Sequence, residues 1–326
     1  MELKNILSAI IKGVYDSFRG MVVIFYLDKE INDSVRTRHS PAIRQKDSES
    51  KTHLSNRQGK QERSKVGRNV LQCALLNGGV FLLSVLIFEH LLLPTIDALI
   101  EMIFGDSSFV TVWFWVKHFI LMVYRSAWLV PLFLLSKVIN ALWFQDIADS
   151  AYRHSRGRPV SFPSISMFFA DSFFSIVVQC LFLIQATLTS YIPINPLGYI
   201  LYITQVSLLY SLYSFEYKWF NMGWELHKRL SFIEENWPYF LGFGLPLTIL
   251  TQLSDSWVIS GCVFSILFPL FIISGNEATP VTGVTNLHLQ LFTLVIGTGN
   301  TLFSRTIGKS KKVPQTPVTV TQNRVR

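Results

Sequence analysis

Trp143-Phe144-Gln145-Asp146-Ile147-Ala148-Asp149 is the stretch whose reading decides the fold. A long apolar run, residues 109–142, leads into it, and a basic segment with Arg153, Arg156 and Arg158 follows. A helix leaving a bilayer reads this way, with aromatic rings at headgroup level and charges beyond them. Apolar segments lie on both sides, so the stretch is read as the cytosolic hinge of an all-α integral membrane protein. About six membrane-embedded helices are expected, some short or half-penetrating, behind an N-terminal amphipathic helix.

Composition agrees. Of 326 residues, 50% are hydrophobic and only 15% charged, against about 25% charged in a soluble domain. Mean hydropathy is +0.36. One water-soluble core cannot hide that much apolar surface. The net charge of +8 is segregated: eleven Lys or Arg fall in residues 29–68 and six in 304–326. Flanks of this kind face anionic cytosolic lipid. Cys73, Cys180 and Cys262 sit in three separate apolar segments, which predicts buried thiols rather than a disulfide framework or a zinc site. Met21–Leu27 is too short and too late for a cleaved signal peptide, so insertion is expected to use internal spans.

Residues 1–31 read as an amphipathic interfacial helix. Leu3, Ile6, Leu7, Ile10, Ile11, Val14 and Phe18 recur at three- and four-residue steps, and such a helix either lies in the headgroup plane or docks on its own bundle. Residues 32–69 are a disordered basic cytosolic linker. Its partners, beyond water, are anionic lipid or an acidic carrier such as a karyopherin. Asn32-Asp33-Ser34 has the form of a glycosylation sequon, and cytosolic placement predicts that it stays unmodified.

The polytopic membrane domain is expected over 70–303. Val70–Phe88 is the first span, with Asn77-Gly78-Gly79 as a small-residue packing face. Residues 89–108 hold Glu89, Asp97, Glu101 and Asp106 without Lys or Arg, which reads as a lumenal loop. Residues 109–142 would reach about 51 Å as one helix, so a tilt or a break near Pro131 is expected. They contain Lys117, His118 and Arg125 at membrane depth, read either as an anion or proton path or as an internal ion pair. Loop 150–165 is basic and cytosolic. Residues 173–192 and 197–215 are spans joined by the turn Pro193-Ile194-Asn195-Pro196. Lys218, Lys228 and Arg229 hold the 217–236 loop in the cytosol. Residues 237–253 and 257–273 form a short hairpin, bent by Gly242, Gly244, Pro246 and Pro269. Residues 287–303 are re-entrant or interfacial, which leaves both termini cytosolic. Residues 304–326 are a disordered basic tail.

No Walker loop, dinucleotide fingerprint, His-Glu-x-x-His, nucleophile elbow or Cys-x-x-Cys occurs, so no catalytic residue, cofactor or metal ligand is assigned. Asp146 and Asp149 share a helix face and, with Asp171 and Glu216, form the one carboxylate set worth weighing as a cation or acid/base site. Ion pairing with nearby arginines is the bland alternative. Trp143, Phe144, Asp146, Asp149 and Glu216 are taken as a candidate functional surface. Phe144-Gln145-Asp146-Ile147 fits the loose aromatic-x-x-aliphatic pattern of autophagy adaptors, too close to the membrane to bind. Nucleic acid is excluded, because the basic segment lacks interleaved aromatics for stacking.

Several runs carry a family resemblance: residues 76–81, 131–149, 207–220, 236–246 and 260–278. Over residues 3–305 the chain resembles the etoposide-induced protein 2.4 family, also called ectopic P-granules autophagy protein 4, within a superfamily of CysZ-type bacterial sulfate-uptake proteins. The resemblance implies a multi-pass protein of the endoplasmic reticulum, with the nuclear envelope as a further site. It implies a role in forming degradative autolysosomes and a link to growth suppression and apoptosis. It implies a non-enzyme working on membrane lipids and on membrane or autophagy proteins, with a CysZ-like anion channel as the alternative. It also implies half-penetrating helix pairs, which fits the hairpin at 237–273.

Overall fold

Ser207, Ser211 and Ser214 repeat at three- and four-residue steps along one helix and are fully or almost fully buried. Small hydroxyl side chains let neighbouring helices approach closely, and the bundle is assembled around that helix. The computed structural model describes residues 2–20, 22–24, 66–104, 109–157, 165–194, 196–285, 287 and 289–306. The basic linker up to residue 65, the sequon at Asn32, Arg158 and the tail beyond residue 306 lie outside the described residues, while residues 66–69, read above as the end of that linker, are the first turn of a helix.

Nine helices occur among the described residues, with no strand. They are α1 (Glu2–Ser17), α2 (residues 66–104), α3 (residues 109–155), α4 (Ile165–Ser190), α5 (Leu197–Asn221), α6 (Leu226–Glu235), α7 (Trp237–Thr251), α8 (Trp257–Glu277) and α9 (Thr293–Thr306). Four are long and apolar enough to cross a membrane: Val66–Ile103, Val112–Arg153, Asp171–Ser190 and Trp257–Glu277. The protein is therefore an all-α membrane protein. Helix α5 is the hub, packed on α4, α7, α8, α6 and α3. Helix α7 is clamped between α1 and α5, and its glycines serve that contact. A Cβ on Gly244 would lie 1.8 Å from the Ser207 carbonyl oxygen, and one on Gly242 would lie 2.0 Å from that of Ile10. Aromatic residues fill the rest: Phe215 meets Tyr239, Phe240 and Phe243 edge to face.

Helices α2 and α3 form a long antiparallel arm. Residues 89–104, read above as a loop, continue α2. Leu91, Leu92, Ile96, Leu99, Ile100 and Ile103 keep a helical rhythm between the isolated charges, and backbone hydrogen bonding follows that rhythm. Helix α3 runs unbroken past Pro131. A π-helical stretch, Arg125–Leu129, precedes that proline. It widens the turn that holds the carbonyl of Ala127, the group the proline ring would otherwise strike. A second π-helical stretch, Leu75–Leu82, contains the Asn77-Gly78-Gly79 face. There Asn77 and Asn140 exchange amide hydrogen bonds at 3.0 Å, and Ser136 donates to Asn77 at 2.7 Å. This buried triad fixes the register of α2 on α3.

Two further expectations change. The 217–236 segment is not an open loop. It contains α6, and Lys218 and Arg229 are buried in it. Cys73 and Cys262 are buried, but Cys180 is exposed on the outer face of α4. Helix α9, at 14 residues, reaches only about 21 Å and packs on α4.

Candidate functional site

The ends of α3, α5 and α8 meet the starts of α4 and α7 at one polar end of the bundle. Lys218 of α5 donates to the carbonyls of Gly275 at 3.0 Å and Ala278 at 2.6 Å. These are orphan acceptors at the end of α8. Asn276 of α8 donates to Ser155 at the end of α3, 2.7 Å. Asp149 of α3 accepts from Asn221 at 3.1 Å and from Gln145 at 3.0 Å.

The centre of this end is Arg229. Its side chain is 1% exposed, and it heads the fully buried side chains by size. Its Nη2 donates to Asp171 at 2.8 Å, its Nη1 lies 3.5 Å from Glu216, and Nε and Nη2 both donate to the Trp224 carbonyl. Asp171 also accepts from the Leu226 amide at 3.3 Å, where the first turn of α6 favours an anion. Glu216 accepts from Ser175 and, at 2.5 Å, from Gln179. Its side chain keeps 22% of its surface, yet its oxygens turn inward onto these donors. Burial pushes the Glu216 carboxyl above its usual range, against the opposing pull of Ser175, Arg229 and Gln179. Arg229 thus lies 2.8 Å from Asp171 and 3.5 Å from Glu216, so the closer of its two ion pairs is the one with Asp171.

The structure thus joins Asp171 and Glu216 through Arg229, and leaves the other predicted acids apart. Asp149 belongs to the Asn221 contact, and Asp146 is exposed. Among the described residues no three His, Cys, Asp or Glu side chains gather as metal ligands. Trp143 packs against the main core. Phe144 is buried edge to face on Phe268 at 5.1 Å, and Ile147 is fully buried. The aromatic-x-x-aliphatic tetrapeptide is therefore helical, with both anchors inside. Lys117 pairs with Asp97 at 2.6 Å, which also accepts from Trp113 at 2.8 Å. Among the described residues His118 bonds its own helix, at the Phe114 carbonyl, 2.8 Å. The Arg125 side chain lies outside the described ones.

Arg229 is the residue that sequence reading missed. Next to Lys228 it looked like one more solvated base. The available signal was two lone acids in apolar surroundings, Asp171 and Glu216, which need a cation.

A family model described as "Sulfate transporter CysZ/Etoposide-induced protein 2.4" matches residues 61–254. The chain belongs to this family. Within it, the Caenorhabditis elegans "Ectopic P granules protein 4" is 34% identical over 150 residues, 46% of this chain and 48% of that protein. A "Protein EI24 homolog" of Dictyostelium discoideum is 29% identical over 218 residues, 65% of this chain and 66% of that one. Another, from Arabidopsis thaliana, is 28% identical over 243 residues, 64% and 74%. The chain therefore spans about half the length of the worm relative. No solved structure matches. The region matched to the EI24/CysZ family covers the α2–α3 arm and the whole Arg229 cluster, and leaves α1, α8 and α9 outside it.

Proposed function

We propose that this chain is a multi-pass protein of the endoplasmic reticulum membrane required for autophagy, at the formation of degradative autolysosomes, and linked to growth suppression and apoptosis. The observation that carries this reading is the worm relative, named for P granules out of place. Failed clearance is the sense of that name that fits a defect in autophagy. In this reading the protein is not an enzyme. It works through contacts with membrane lipids and with other membrane or autophagy proteins. The cluster supports a structural role for the acids, because Asp171 and Glu216 are both turned onto Arg229. Both termini face the cytosol, nuclear-envelope residence is included, and the basic 32–69 segment is the contact for a karyopherin.

The test is deletion in cultured cells followed by re-expression. Autophagic substrates accumulate on deletion and clear when the wild-type chain returns. Normal clearance in deleted cells overturns the reading.

The family description favours one second reading, a CysZ-like anion pathway. Among the described residues Lys117 is one cation of the arm, and Asp97 already neutralises it; Lys137, further along α3, lies over the Phe133 ring. Purified protein in liposomes decides: sulfate or chloride flux that falls in Arg125→Leu supports a pathway, and absence of flux removes it.

A further inference from the structure

Helix α1 docks the wrong way round for a protein in water. A surface helix normally buries its large apolar residues and shows its small and polar ones. Here Ala9, Gly13, Asp16 and Gly20 face the bundle. A Cβ on Gly13 would lie 2.2 Å from the Tyr239 carbonyl oxygen. Asp16 is fully buried and accepts from the Tyr239 hydroxyl at 2.8 Å. The large residues point outward instead: Leu3 is 80% exposed, Leu7 56%, Ile11 60%, Tyr15 70% and Phe18 42%. They recur every three or four residues and form one continuous stripe.

A polar edge separates the two on one side. At about 100° per residue, Ser8 and Lys12 fall on that edge, Arg19 continues it just past the helix end, and Lys4 sits within the stripe between Ile11 and Tyr15. Lys12 is held by Asp16, whereas Lys4 and Arg19 are exposed. The helix therefore has a bundle face, an apolar face and a cationic edge. Its end fixes its level. The Gly20 amide donates to the Ser274 hydroxyl at 2.6 Å, and that hydroxyl donates to the Ser17 carbonyl at 2.7 Å. Ser274 lies in the last turn of α8, one of the four helices able to cross a membrane. The α1 terminus is thus placed where a crossing helix meets headgroups.

We propose that the outward face of α1 is a lipid-binding surface. Leu3, Leu7, Ile11, Tyr15 and Phe18 sit in the acyl region of the leaflet, and Lys4 and Arg19 sit on anionic phospholipid headgroups. The small-residue face acts as the hinge plate that holds the helix to α7 and α8. This inference is independent of the autophagy reading.

The experiment uses the full chain reconstituted in vesicles, in a Cys180→Ser background that removes the exposed thiol. Single cysteines replace Leu7, Ile11, Lys4 or Arg19 in turn and carry an environment-sensitive fluorophore. Probes at 7 and 11 are expected to shift to the blue, to lose emission to spin-labelled lipid, and to resist aqueous iodide. Probes at 4 and 19 are expected to be quenched by iodide. Iodide quenching at 7 and 11 overturns the proposal. So does shielding from both quenchers with disulfide cross-linking between copies, which would make the face a dimer contact. For the headgroup half, the blue shift at 11 is expected to deepen when phosphatidylserine joins phosphatidylcholine, and Lys4→Gln with Arg19→Gln is expected to abolish that deepening. No response to the anionic lipid overturns that half.

Discussion

The bundle around α5 and the arm of α2 and α3 are built from the same apolar vocabulary and held by opposite means. In the bundle, charges are buried and close the structure: Arg229 joins α4, α5 and α6, and Lys218 ends α8. Among the described residues, the arm beyond residue 87 packs chiefly on its own partner helix. Its contacts there include the stacked pair Phe88 and Tyr124, 3.6 Å between ring centres, and the Asp97 group with Lys117 and Trp113. Many of its large side chains face outward, Trp115 and Met122 among them. The lesson is that burial, not composition, tells a charge that organises the fold from one that decorates it.

The largest expected effect breaks the bundle side of that comparison. Arg229→Met leaves Asp171 and Glu216 facing each other without a cation, and is expected to cost about 3–5 kcal/mol. Thermal unfolding in detergent measures it. The cluster also predicts an inequality between its acids. Asp171→Asn removes the 2.8 Å pair and is expected to lose most of that stability, whereas Glu216→Gln, at 3.5 Å and with its carboxyl pushed up by burial, is expected to lose less. Equal losses would mean that Arg229 depends on both acids alike.

Next comes the close packing of α1 on α7. Gly242→Ala places a methyl against the Ile10 backbone and is expected to cost about 1–3 kcal/mol, as overpacking does. Limited proteolysis should then release the N-terminal helix sooner. Gly79→Ala is the control on the arm. No atom lies within 4 Å of its added Cβ, so the helix should gain about 0.5–1 kcal/mol. A smaller step is Asn77→Leu. It removes the amide exchange with Asn140 and is expected to cost about 0.6–2 kcal/mol, read as earlier separation of α2 from α3 in cysteine cross-linking.

Much of the fold was legible because it depends on local pattern. Apolar runs placed α2, α3, α4 and α8, and Pro193 with Pro196 placed a turn. The start of the first span at residue 66 and the helix through 89–104 were not legible. Scattered Glu and Asp imitate a loop when hydropathy alone is read. The cluster was less legible still. Asp171, Glu216 and Arg229 lie up to 58 residues apart, and no periodicity links residues that only tertiary packing brings together. The inverted packing of α1 was hidden for the same reason. The sequence shows an apolar stripe, but not which face meets the bundle.

The smallest expected effect sharpens the arm side. Sequence reading put Asp97 in the lumen and Lys117 in the membrane, yet the two are paired and share one level. If Asp149 marks the cytosolic headgroups, a hydrocarbon core of about 30 Å ends about twenty residues back along α3, near residue 129. Lys117 then lies a further three turns out, with Trp113 and Trp115 beside it, while Trp128 marks the edge of the core near residue 129. An exposed pair there is worth at most about 1 kcal/mol. Lys117→Gln and Asp97→Asn should each change stability by no more than that, and the effect should fade in high salt. A loss near the cost of a lone charge in hydrocarbon, about 2.5–3.5 kcal/mol, abolished when both residues are made Leu, would move the far half of the arm into lipid.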